Sequence, residues 1–168
     1  MKNLWTPWRI EHVRGNNPPP DHCLFEPVGH EPSSKADLLL LRNRDVVVLL
    51  NRFPYTNGHL LVAPANHVEC ITKLTDSETG ALAQMVAAAT NILKRHLNPD
   101  GFNIGCNIGA TAGAGIADHL HYHIVPRWNG DNNFIAVLNE IRTIPEHLDQ
   151  TFDELLPYFN SLTDDETV

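Results

Sequence analysis

Three kinds of hydrophobic pattern divide this chain. Residues 14–36 are dominated by Gly, Pro, Asn, Ser and charge, including Pro18-Pro19-Pro20 and Glu31-Pro32-Ser33-Ser34, and predict an extended arm and loop. Ahead of them Trp5 and Trp8 flank Pro7, an aromatic pair suited to packing on the body or on a second subunit. From residue 44 the pattern is that of short strands. Val46-Val47-Val48-Leu49-Leu50 is apolar and largely β-branched, which predicts a buried strand over 44–50. Turn residues follow as far as Asn57-Gly58, and a second apolar run, His59-Leu60-Leu61-Val62-Ala63, is stopped by Pro64. So short a connection predicts an antiparallel pair.

The period then becomes helical. Thr75-Asp76-Ser77-Glu78 is a capping box, in which the threonine hydroxyl accepts from the third amide and the glutamate reaches back. Behind it Leu82, Met85, Val86, Ala89 and Leu93 form one apolar stripe, and Asn98-Pro99-Asp100-Gly101 ends the helix near Leu97. Two more strands are expected over 102–108 and 119–125. A last helix, opening near Pro145 as a first-turn proline, carries Leu148, Phe152, Leu155, Leu156 and Phe159 on one face. Hairpin-like strands with helices between and after them predict an α+β fold built on an antiparallel sheet.

Composition narrows the function. A chain of 168 residues is one domain, long enough to bury a core without disulfides or metal. A net charge of -8, from 20 acidic and 12 basic residues, argues against a nucleic-acid or anionic-membrane binder. The first ten residues show no signal peptide, and no apolar run is long enough to span a bilayer. Cys23, Cys70 and Cys106 are odd in number and widely spaced, which fits a reducing cytoplasm rather than a disulfide framework. Cys70 and Cys106 are read as packing residues. His12, His22, His30, His96 and His147, and the acidic end at 164–166, are read as solvated.

The chemistry concentrates in His119-Leu120-His121-Tyr122-His123-Ile124-Val125. In a strand the three imidazoles share one face and Leu120, Tyr122 and Ile124 the other. Three aligned histidines are poor core filler, because each buried ring needs a partner. At ~3.3 Å per residue the outer two are ~13 Å apart, too far for one ion. Two readings remain: a metal site completed from elsewhere, or a nucleophile, His121, with its neighbours fixing its tautomer and binding the transferred group. The preceding segment favours the second. Gly109, Gly113 and Gly115, with only Ala110, Thr111, Ala112 and Ala114 between them, form a loop that lets backbone amides approach an anion. An anion cradle beside an imidazole nucleophile suits phosphoryl or nucleotidyl transfer.

With Asn51, Pro54-Tyr55-Thr56-Asn57-Gly58-His59, Gly101-Phe102-Asn103-Ile104-Gly105, Asn107-Ile108-Gly109 and Pro126-Arg127-Trp128, this segment resembles the histidine-triad (HIT) family. The likeness runs from the opening Leu4-Trp5-Thr6-Pro7-Trp8-Arg9 to Asn133-Phe134, nearest the fragile-histidine-triad branch and bacterial diadenosine-polyphosphate phosphorylases. It implies a HIT-like α+β domain over 37–168, with about five antiparallel strands and two main helices, paired into a homodimer, after an arm and loop over 1–36. It also implies cleavage of dinucleoside polyphosphates or related conjugates at the α-phosphorus, through a nucleotidyl-His121 intermediate. His119, His123 and His59 would assist; Asn51 would contact the ribose; Asn107, Ala114 and Gly115 would bind phosphate. Trp128 would lie near the nucleotide, across the dimer. A nucleotide sensor without turnover is the alternative, and a zinc-dependent hydrolase a distant third.

Two departures from the family pattern stand out. Many relatives hold a structural zinc through Cys-x-x-Cys, a histidine after the second strand and the first triad histidine. Here Cys23-Leu24-Phe25-Glu26 lacks the second cysteine, while His67 and His119 remain. Cys23, Glu26, His67 and His119 are therefore candidate ligands, but loss of a thiolate argues for weak binding or none, and the chemistry requires no cofactor. Ala114 and Gly115 stand where relatives often carry a hydroxyl or amide, so contacts there fall to backbone amides or water.

Overall fold

A computed structural model describes residues 22–26, 31–131 and 146–164. Trp5, Trp8, Asn133, Phe134 and Pro145 lie outside the described residues, as do most of the N-terminal arm, His12, His30 and the end after residue 164.

Five strands, β1 (Leu39–Arg42), β2 (Val46–Leu50), β3 (Leu60–Pro64), β4 (Gly101–Cys106) and β5 (Tyr122–Arg127), form one sheet in the order β1-β2-β3-β5-β4. Every neighbouring pair is antiparallel. Helix α1 (Asp76–Leu97) connects β3 to β4, and α2 (Leu148–Asp164) closes the chain. The α+β architecture read from the pattern is the one observed.

The strand boundaries differ from the hydrophobic runs in instructive ways. β1 was not expected, because Leu38-Leu39-Leu40-Leu41 shows no alternation. Its two faces are both covered: Leu40 and Leu41 join the core under the helices, and Leu39 joins a second cluster on the other face. A register irregularity between Leu39 and Leu41 puts adjacent leucines on one side. β4 ends at Cys106 rather than 108, where the chain leaves for the Gly/Ala loop. β5 starts at Tyr122, three residues later than expected, and runs on to Arg127.

Helix α1 begins as its sequence requires. The Thr75 hydroxyl accepts from the Glu78 amide at 3.2 Å, and Glu78 accepts from the Thr75 amide at 2.8 Å. Asn98 ends it in the left-handed region, φ 46°. Its Leu82, Met85, Ala89, Ile92 and Leu93 pack over the sheet together with Phe152, Leu155 and Phe159 of α2. The helix α2 begins at Leu148. His96 is exposed, as expected, and stacks on the exposed Tyr158 of α2, with ring centroids 3.4 Å apart.

The opposite face of the sheet holds a smaller cluster, Phe25, Leu39, Val47, Leu49, Leu61 and Ala63. This face, away from the helices, carries the histidines. Cys106 packs against the main core, whereas Cys70 joins neither cluster and accepts from the Thr72 hydroxyl at 3.1 Å.

Candidate active site

The histidines reach one place from two strands. Residues 119–121 precede β5 without belonging to it, held by the Leu120 amide donating to the Val68 carbonyl at 2.6 Å. The alternation predicted for a strand persists through them. Leu120, Tyr122 and Ile124 pack toward the helices, while His119 and His121 contact Phe25 on the other face. In β5, His123 pairs with Leu61 of β3, which brings it beside His59.

His59 is delivered by the turn before β3. Gly58 adopts φ +71°, a conformation that favours glycine, and a Cβ there would lie 2.3 Å from Leu97 Cδ1, so that side chain of α1 would have to move to admit one. The turn is tied down by the Thr56 hydroxyl donating to the Pro126 carbonyl at 2.7 Å, and by Asn57, which donates to Glu146 at 3.1 Å and accepts from Thr151 at 3.1 Å.

The hydrogen bonds assign the ring protons from their partners. The Tyr55 amide donates to His59 Nδ1 at 3.1 Å, so neutral His59 carries its proton on Nε2. That nitrogen faces His123 Nδ1 at 2.9 Å and donates to it, which leaves the His123 proton on Nε2. His121 Nδ1 is 2.8 Å from the His119 carbonyl oxygen, which can only accept; His121 Nε2 therefore holds a lone pair. His119 Nε2 donates to the Pro64 carbonyl at 2.9 Å, and its Nδ1 faces Cys23 Sγ at 3.2 Å. The row thus divides: His119 looks to Cys23 and His67, His123 to His59, and His121 stands between.

Burial favours the neutral form of the three triad rings. It pushes the pKa of His121 down, partly offset by the bond to the His119 carbonyl. Burial lowers His119 as well, against the Pro64 bond, and lowers His123 with help from His121. A neutral imidazole with a free Nε2 lone pair is the nucleophilic form.

The remaining expected residues lie at different distances from this centre. Asn51 is beside His59, its Nδ2 3.4 Å from Nδ1. Asn107 donates to the Gly113 carbonyl at 3.4 Å and braces the loop. The loop turns several amides inward. Ala112 and Ala114 donate to Gly109 at 3.1 and 3.4 Å, and Gly113 to Ala110 at 3.0 Å. A phosphate contact from the Ala114 amide would therefore exchange the longest of these bonds, while Gly115 is exposed. Trp128 lies five residues beyond His123, half-buried in a turn where Asp131 accepts from its amide at 3.2 Å.

Two residues that the sequence reading passed over belong to the site. Phe25 is fully buried, with ring centroids 4.9 Å from His119 and 5.1 Å from His121. Tyr55 covers His59 at 4.6 Å and runs nearly parallel to His123 at 6.0 Å. Phe25 carries no periodic signal, being inside a polar loop; Tyr55 stood in a recognisable turn, four residues before His59.

Residues 33–130 match the model of the HIT domain. The chain belongs to this family. The HIT relatives include the AP-4-A phosphorylase of Mycobacterium tuberculosis, 36% identical over 157 residues that cover 90% of this chain and 80% of that protein. The bis(5'-adenosyl)-triphosphatase of Dictyostelium discoideum is 31% identical over 117 residues, covering 66% of this chain and 78% of its own. Among solved HIT structures, a Zn-bound histidine triad family protein from Mycobacterium smegmatis superposes with a TM-score of 0.60 at 26% identity, covering 76% of this chain and 87% of that one.

A second cluster adjoins the triad. One ligand atom each from Cys23, His67 and His119 lies within 4.8 Å of the others, and His67 Nδ1 is 3.3 Å from Glu26 Oε2. Burial raises the Cys23 pKa, against the backbone amide of Phe25, which favours its thiolate. These are zinc-type donors, soft sulfur with imidazole nitrogen and a carboxylate within reach. No helix of the described residues is long and apolar enough to cross a membrane.

Proposed function

We propose that this protein cleaves dinucleoside polyphosphates, or related nucleoside phosphate conjugates, at the α-phosphorus by way of a nucleotidyl-His121 intermediate. The observation that carries this reading is the His121 ring: its Nδ1–H is committed to the His119 carbonyl, so its Nε2 lone pair is the reactive one. In the first step that lone pair forms a P–N bond as the bond to the leaving phosphate oxygen breaks and its electron pair departs with the leaving group. The Nε2–H of His123, set by the His59 relay, donates to the substrate phosphate or leaving oxygen. In the second step an oxygen of water, inorganic phosphate or another acceptor attacks phosphorus, any proton on that oxygen is released to solvent, and the P–N bond breaks with its electrons returning to His121 Nε2.

Asn51 beside His59 serves the ribose, and Asn107, Ala114 and Gly115 the phosphates. The phosphorylase and triphosphatase relatives support the substrate class. No metal is required for these steps. Cys23, His67 and His119 are the donors that would hold a structural zinc, which would tie the 22–26 turn to the start of β5.

The protein acts as a homodimer in the cytoplasm, without nucleic-acid or membrane partners. Supporting the dimer, β4 ends the sheet among the described residues and exposes Ile104, an edge that a second copy would cover; Trp128 would then reach the partner's nucleotide. Three free cysteines suit a reducing compartment.

The test is a panel of dinucleoside polyphosphates, nucleoside phosphoramidates and adenylylated conjugates, with and without inorganic phosphate, with products read by mass. Wild-type turnover lost in His121→Ala supports the reading. Tight nucleotide binding with no product from any substrate would replace it with a sensor module.

A further inference from the structure

Four polar residues are buried among the described residues, and three of them are the site histidines His59, His119 and His121. The fourth is Thr151, fully buried in the first turn of α2. A hydroxyl in such a place costs stability unless it is bonded, and valine would fill nearly the same volume without that cost. The Thr151 hydroxyl reaches two side chains: Glu146, just before α2, and Asn57, at 3.1 Å. Asn57 Nδ2 donates to the same Glu146 oxygen at 3.1 Å. The three side chains close a triangle of polar contacts between α2 and the turn that carries His59.

That turn needs holding. Residues 51–58 belong to no helix or strand, and Arg52 and Tyr55 are exposed within them. Two anchors join the turn to the sheet: the Asn51 amide donates to the His59 carbonyl at 2.9 Å, and the Thr56 hydroxyl to the Pro126 carbonyl at 2.7 Å. Asn57 supplies a third, from the helix layer. The helix behind it is a firm support, because Phe152, Leu155 and Phe159 are buried in the main core. The contact at stake is short: His59 Nε2 stands 2.9 Å from His123 Nδ1. Such bonds lie at about 2.7–3.2 Å, so a displacement of His59 by about half an ångström breaks this one.

We propose that Asn57, Glu146 and Thr151 are positioning residues of the reaction: from α2 they hold His59 against His123, which keeps the His123 Nε2–H aimed at the leaving oxygen. The inference rests on the proposed nucleotidyl transfer and extends it by giving the C-terminal helix a part in the first step. In that step the P–N bond to His121 forms and the P–O bond breaks, its electron pair staying on the leaving oxygen. No proton moves; the His123 Nε2–H stabilises the growing charge as a hydrogen-bond donor. A leaving phosphate, whose charge stays on oxygen, gains much from that donor. A nitrophenolate, which spreads its charge into the ring, gains little.

The test compares full-length Thr151→Val, Thr151→Ser and Asn57→Ala with the wild type, well below Tm. Substrates are a dinucleoside polyphosphate and the nitrophenyl ester of a nucleoside monophosphate, and nitrogen NMR of the labelled imidazoles is recorded without substrate. Thr151→Val and Asn57→Ala should each lower kcat/KM on the polyphosphate about 2- to 10-fold, the range that one ordinary hydrogen bond spans. Both should leave the nitrophenyl ester nearly unchanged and move the His59 and His123 nitrogen resonances. Thr151→Ser, which restores the hydroxyl, should return all three readings to wild type. Thr75→Ala loosens α1 away from the tether and serves as the stability control, with wild-type kinetics and resonances. Unmoved resonances in Thr151→Val and Asn57→Ala, or an equal fall for both substrates, would overturn the positioning role. A wild type that cleaves neither compound refutes the proposed reaction instead, and the substrate-free resonances still decide the tether.

Discussion

The His59–His123 contact makes a quantitative prediction. In His59→Phe the ring is kept and both nitrogens are lost. His123 Nδ1 then loses the donor that stands 2.9 Å away, and the Tyr55 amide loses its acceptor. An unsatisfied buried group costs about 1–3 kcal/mol. Where that cost falls on His123, the proton is free to move to Nδ1, and the Nε2–H that faces substrate is lost in that fraction. Expressed as rate, 1–3 kcal/mol is a fall of roughly 5- to 150-fold in kcat/KM, at about tenfold per 1.4 kcal/mol. The change at the Tyr55 amide should add little to this, because Tyr55 is exposed and water can replace the lost acceptor. His59→Gln, whose amide can donate again, should recover part of the rate. The assay pairs cleavage kinetics, run well below Tm, with nitrogen NMR of the labelled imidazoles, which reads each tautomer directly. A His59→Phe enzyme that keeps His123 in the Nε2–H form and cleaves at the wild-type rate would refute the relay.

Three further outcomes follow from the same geometry. Because His119, His121 and His123 all titrate below the ordinary histidine value of about 6.5, unfolding takes up protons between their lowered pKa values and that pH. Stability should therefore rise with pH across that window and level off above it, and the acid limb of kcat/KM should lie below pH ~6.5; a limb above it contradicts the burial argument. Phe25→Ala removes a fully buried ring that contacts both His119 and His121, so denaturant unfolding should register a loss of about 3–5 kcal/mol and kcat should fall with it. Thr75→Ala removes the capping hydroxyl of α1 and should cost about 0.5–2 kcal/mol in chemical denaturation with kcat unchanged, since the cap is remote from the histidines.

What could be read from residues alone depended on whether the signal was local. The capping box, the apolar stripe of α1 and the β2–β3 hairpin are set by neighbours in sequence, and they appear where the pattern put them. The alternation through 119–123 was also legible, even though only its last two residues belong to a strand. β1 was hidden because both of its faces are buried, which erases alternation. The site divides in the same way. His121 and its flanking histidines announced themselves by spacing, and Asn51 and His59 by family likeness. The partners that assign their protons did not: His59 and His123 are 64 residues apart and meet only through the β3–β5 pairing. Phe25 and the Cys23–Glu26 turn needed the second face of the sheet to give them a position.

The central claim is that His121 Nε2 takes the nucleotidyl group. Enzyme mixed with excess dinucleoside polyphosphate, quenched under alkaline conditions within a turnover and digested, should yield one peptide heavier by a nucleotidyl group, with the adduct on His121. The adduct should disappear in His121→Ala and on chase with the acceptor. Rapid turnover with no modified peptide at any quench time, or an adduct on another side chain, would contradict the account.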